Sequence, residues 1–187
     1  MVYDVKADLS RKARLVVMGD VVNPRGLSTR AKFVKGISVR LLNVIAHRYG
    51  LKMLCGDIGH AFIQTTTRAK IFTRCGPEFG DKSGCIAIIE KALCGLTTSA
   101  ERLRTMLGDF LRGMGFVPTR YDRDVWMRCR ESIDGYDYIC THVDDFKIVS
   151  TNPDRTFVVK SVGPHYLGND FRWEKQEDLW TTGCKKY

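Results

Sequence analysis

The stretch Tyr138 to Ser150, YICTHVDDFKIVS, carries the first clue to the fold. Two β-prone runs, 138–143 and 146–150, flank Asp144 and Asp145, so the segment reads as a tight hairpin with the acid pair at its tip. Two adjacent aspartates at such a tip crowd several oxygens into a small volume. Like charges that close repel, and a hard divalent cation such as magnesium relieves them. An Asp-Asp pair is also ordinary solvated turn chemistry, so the pair by itself leaves both roles open.

Working outward, 52–57 reads as a short strand that delivers Asp57 where LKMLCG gives way to IGHAFIQ. The plain role of such an aspartate is a helix N-cap. As a third carboxylate at the end of a neighbouring strand, it would instead complete a site for two hard cations. Residues 37–49 read as a helix with Ile37, Leu41, Val44, Ile45 and Tyr49 near one face, ended by Gly50. A second helix spans about 99–114, where Ala100, Leu103, Leu107, Phe110, Leu111 and Met114 keep helical spacing up to Gly115. Further β-prone runs lie at 13–18, 70–74, 85–90 and 125–129, with a helix after Pro153 and strands around 166–173 and 179–182. Strands mixed with hairpins and few helices predict an α+β sheet with its helices on one face.

Composition bounds the partners. The 187 residues are 44% hydrophobic and 27% charged, ordinary for a folded protein. No apolar run reaches the roughly 18 to 20 residues that span a bilayer, and the N-terminus lacks a signal-peptide core, so the expectation is a soluble intracellular protein without a membrane partner. Formal charge is +9 with a pI of about 9.3. The excess gathers early: residues 1–40 hold Lys6, Arg11, Lys12, Arg14, Arg25, Arg30, Lys32, Lys35 and Arg40 against Asp4, Asp8 and Asp20. Charge alone favours a solvated basic face, with a polyanion as the alternative partner. Seven cysteines form no CxxC pair and no zinc spacing; several sit in apolar runs, as small hydrophobes in a reducing compartment would.

Several segments together carry a more specific signal. KARLVVMG (12–19), CGDIGHAFIQ (55–64), KALCGLTTSAERL (91–103), GFVPTRYDRDVWMR (115–128), YICTHVDDFKIVS and GPHYLGNDF (163–171) resemble, in order and spacing, the motifs of copia-type retrotransposon reverse transcriptases. GPEF (76–79) and the terminal KKY further resemble the branch found in diatom and oomycete elements.

The resemblance implies a reverse-transcriptase palm, a ferredoxin-like antiparallel sheet, with partial fingers: about 1–50 and 68–95 fingers-like, about 51–67 and 96–187 palm-like, thumb and RNase H absent. It implies RNA-directed DNA polymerase activity, with dNTPs added to a primer 3′-OH on an RNA or DNA template and two Mg²⁺ ions, or Mn²⁺, as cofactors. Asp57, Asp144 and Asp145 would be the catalytic metal ligands, with the Ile58 carbonyl as an extra one. Lys12 and Arg14 would meet the incoming triphosphate. Phe62 would be the steric gate against a 2′-OH, although ordinary core packing is its plain role. Gly95 would let template or nucleotide approach the backbone, with a simple turn glycine as the alternative, and Leu167 and Gly168 would position the primer end. The remainder of a retrotransposon polyprotein would be a partner, in cytoplasmic virus-like particles or the nucleus.

The chain also departs from the family pattern. His142 stands for the hairpin tyrosine, Thr98 for a glutamine, Ala100 for a proline, Leu103 for a tryptophan and Lys147 for an apolar residue. Alternation places His142 with Tyr138 and Cys140, on the primer side or in packing. These departures support an alternative, a degenerate non-catalytic remnant that binds nucleic acid; retention of all three acids supports an active enzyme.

Overall fold

Val125 and Trp126 are consecutive in a strand and both buried, so the sheet that holds them needs cover on both faces. The computed structural model describes residues 2–5, 9–17, 33–130, 134–153 and 171–175. In one unit, formed by 32–60 and 106–187, it shows an antiparallel six-stranded sheet. The strands are β3 (Lys52–Ile58), β6 (Val117–Pro118), β7 (Val125–Cys129), β8 (Tyr136–His142), β9 (Asp145–Ser150) and β10 (Phe171–Lys175), in the order β10-β3-β9-β8-β7-β6. Helix α1 (Gly36–Arg48) belongs with this sheet rather than with the basic segment before it, because Leu42 and Ala46 pack with Leu51, Val125, Cys140 and Val149.

Helix α2 (Ser99–Gly113) reaches the opposite face. Its Gly108 lies against Trp126, close enough that a Cβ there would stand 3.3 Å from the indole. The expectation of helices on one face is therefore corrected: among the described residues α1 and α2 cover opposite faces, as the paired burial of Val125 and Trp126 demands.

The face of α1 that packs is also corrected. Ser38, Leu42 and Ala46 are buried and Ile45 packs beside them in part, whereas Ile37, Leu41, Val44 and Tyr49 are exposed. A distant residue fixes this orientation. Lys35, at the helix N-cap, makes no side-chain cap of its own; the Asp122 carboxylate instead accepts from Lys35 N–H (2.8 Å), Ser38 Oγ (2.6 Å) and Asp124 N–H (3.1 Å). It thus satisfies donors at the helix start that would otherwise lack partners. Burial pushes the Asp122 carboxyl up, but the hydrogen bonds from Ser38, Lys35 and Asp124, helped by the Lys35 charge, outweigh it and hold the group below its ordinary range.

The second unit, formed by 1–31 and 61–105, has two small antiparallel sheets: β1 (Val2–Val5) with β2 (Arg11–Arg14), and β4 (Thr66–Arg74) with β5 (Ile86–Lys91). Ile71, Ile89 and Leu96 form its core with Val17 and Leu93 packed alongside. Of the expected elements, the helix after Pro153 and the strand at 179–182 lie outside the described residues.

Candidate metal centre

Strand register brings the acids together. Asp57 of β3 is the Cα partner of Asp145 of β9, and Asp145 is the Cα partner of His142 of β8. The hairpin loop is thus Val143-Asp144, one residue earlier than the Asp144-Asp145 tip expected from sequence, and Asp145 already belongs to the ladder. The Ile58 N–H donates to the Asp144 carbonyl at 2.9 Å, which ties the loop to the end of β3. One carboxylate oxygen each from Asp57, Asp144 and Asp145 lie within 4.8 Å of one another, and all three residues are half-buried.

Holding the acids there involves backbone strain. Val143 has φ of 59° while Asp144 does not share a positive φ, the pattern of a type II′ turn, which favours glycine at its first loop position. A β-branched residue in that region costs of the order of 1–3 kcal/mol and persists only where its surroundings over-determine it. The ladders on both sides of β9 and the Ile58 hydrogen bond supply that constraint. Clustered carboxylates are all hard oxygen donors, suited to Mg²⁺ or Mn²⁺ and unsuited to soft metals. The donor set therefore fits the expected ions.

Neighbouring side chains complete this face of the sheet. His142 is exposed and its ring lies 5.1 Å from that of Phe33, a contact that nothing in the sequence marked. Lys147 is half-buried and its ammonium donates to Asn43 Oδ1 of α1, so this departure is accommodated by a polar partner. Its register neighbours are Cys55 and Cys140. Burial drives the Cys140 thiol up to about 12, despite the opposing Lys147 charge, which makes it an inert packing group.

The other sequence-read residues belong to the second unit or lie outside the described residues. Phe62 lies in the short 3₁₀ turn Ala61–Gln64, half-buried, with its carbonyl accepting from both Thr65 N–H and Thr65 Oγ1 at 3.0 Å. Lys12 and Arg14 are on β2, half-buried and exposed. Gly95 has φ of +91°, and a Cβ on it would stand 1.9 Å from the Val17 carbonyl; the chain's own backbone makes the close approach there. Leu167 and Gly168 lie outside the described residues. Sequence reading passed over Asp122 and Asp137, both buried. The signal was present for Asp137, a lone acid inside the apolar run YDYIC opposite the arginines of VWMRCR.

A family model described as reverse transcriptase (RNA-dependent DNA polymerase) matches residues 1–164. The chain belongs to the reverse transcriptase family. It is 28% identical over 157 residues to the Retrovirus-related Pol polyprotein from transposon RE1 of Arabidopsis thaliana, a match that covers 81% of this chain. The chain spans about a tenth of that relative's length. The resemblance to copia-type reverse transcriptases agrees with both findings. No solved structure matches this reverse transcriptase chain. Among its described residues, no helix is long and apolar enough to cross a membrane.

Proposed function

We propose that the chain is the polymerising part of an RNA-directed DNA polymerase, extending a primer with dNTPs on a nucleic-acid template. The observation that carries this reading is the meeting of Asp57, Asp144 and Asp145 within 4.8 Å, from segments far apart in the chain. Two bound Mg²⁺ ions would supply activation of the primer 3′-OH and neutralisation of the leaving pyrophosphate in an in-line displacement at the α-phosphorus. The three carboxylates would hold them, with the Ile58 carbonyl as a further ligand. Lys12 and Arg14 would neutralise the triphosphate. Phe62 would exclude a ribose 2′-OH, and Leu167 and Gly168 would position the primer end.

Two of the departures from the family pattern are accommodated by the fold, which supports this reading: Leu103 is fully buried and Lys147 is bonded to Asn43. Other domains of a polyprotein would complete the enzyme, in cytoplasmic particles or the nucleus. Primer extension on an RNA template with Mg²⁺ tests the reading, using the full-length parent. Asp144→Asn should abolish extension with either sugar, and Phe62→Ala should raise rNTP use while largely sparing dNTP use. An Asp144→Asn enzyme that still extended primers would overturn the assignment. Loss of both activities with lowered thermal stability in Phe62→Ala would make that residue core, since truncating a buried Phe costs about 3–5 kcal/mol.

A further inference from the structure

Helix α1 is apolar on two opposite sides. Leu42 and Ala46 face the sheet, while Ile37, Leu41 and Val44, at i, i+4 and i+7, are 58%, 56% and 63% exposed. Phe33, just before the helix, is 52% exposed. A contiguous exposed apolar ridge on a helix marks an interaction surface.

Charge around the ridge narrows the occupant. Between Asp20 and Asp57 the chain has no acidic residue, while Lys35, Arg40, Arg48 and Lys52 are all exposed. A second copy set face to face would oppose these cations, and like-charge juxtaposition disfavours it. Nucleic acid would match the charge, but Ile37, Leu41 and Val44 offer its bases neither a stacking ring nor a hydrogen bond. A protein helix with apolar residues on one side and carboxylates along its flanks satisfies both features at once.

We propose that the outer face of α1 docks an acidic amphipathic helix from another polypeptide segment, with its aliphatic stripe on Ile37, Leu41 and Val44 and its carboxylates against Arg40 and Arg48. The proposal stands whether or not Asp57, Asp144 and Asp145 bind metal.

The test uses the full chain and two synthetic helical peptides of about five turns, one with leucines at matching spacing flanked by glutamates, the other with lysine at every glutamate. Fluorescence anisotropy should show the glutamate peptide binding at least about tenfold tighter, and Leu41→Gln with Val44→Gln weakening it by at least about tenfold. Both side chains are exposed, so the melting temperature should not change; Ile37→Gln provides a second variant if it does. Equal binding of the two peptides, or binding indifferent to these variants, overturns the proposal. So does self-association in sedimentation velocity that Leu41→Gln removes, or loss of RNA–DNA duplex affinity in the same variant, since each assigns the ridge to another occupant.

Discussion

The hairpin of β8 and β9 carries aspartates at both ends, and the sheet treats them in opposite ways. At one end Asp137 is buried, accepting from Arg128 at 3.2 Å and from Ser150 Oγ at 2.7 Å, with Arg130 Nε at 4.0 Å. At the other end backbone pairing draws Asp57, Asp144 and Asp145 onto one another. The first acid is neutralised by the chain's own donors, as a buried charge must be. The second group is assembled against its own repulsion and across a strained Val143, which fold stability alone does not favour. Asp137 is matched with arginines, whereas the acids clustered at the hairpin tip are the ones proposed to hold a cation.

Substitutions at the two ends should separate these roles. Asp137→Ala leaves Arg128 and Arg130 partly buried without a counter-charge and should destabilise by about 3 kcal/mol or more in urea unfolding. Asp144→Asn should leave the midpoint unchanged or raise it. Equal destabilisation by both would erase the distinction.

The pH dependence sharpens it. The Asp122 pKa is lowered in the folded state, so its contribution is complete above the unfolded carboxylate value of about 4 and is lost as pH falls through the lower folded value. The stability gap between wild type and Asp122→Asn should be full near about pH 6 and should close below about pH 4. A gap independent of pH would mean that the Asp122 charge plays no part in capping α1.

The smallest expected effect is at the hairpin loop. Val143→Gly relieves a positive φ but adds freedom to the unfolded chain, so stability should change by no more than about 1 kcal/mol in either direction. Metal affinity should fall, because Asp144 is then less rigidly placed. A glycine variant with unchanged metal affinity would show that the strain at Val143 does not position the acid.

Much of this was legible in the sequence. The runs ending in Asp57 and flanking the acid pair appeared as β3, β8 and β9 near the expected bounds, because alternation and turn chemistry are local signals. The faces of α1 were not, since Ile37, Leu41 and Val44 are as apolar as Leu42, and the bonds from Lys35 and Ser38 to Asp122 that mark the inner side join residues far apart in sequence. The shift of the hairpin tip to Val143-Asp144 and the pairing of Asp57 with Asp145 rest on long-range register, which local patterning does not encode. The approach of the Val17 carbonyl to Gly95 was likewise hidden, because it joins residues far apart in sequence.

The role proposed for these three carboxylates is to hold divalent metal. Replacing Mg²⁺ with Fe²⁺ and adding ascorbate and peroxide generates radicals at the bound ion, which cut the nearby backbone. Cuts are expected around Asp57 and around His142 to Asp145, competed away by Mg²⁺ and absent from Asp144→Asn. Cleavage elsewhere, or cleavage that persists in Asp144→Asn, would contradict it.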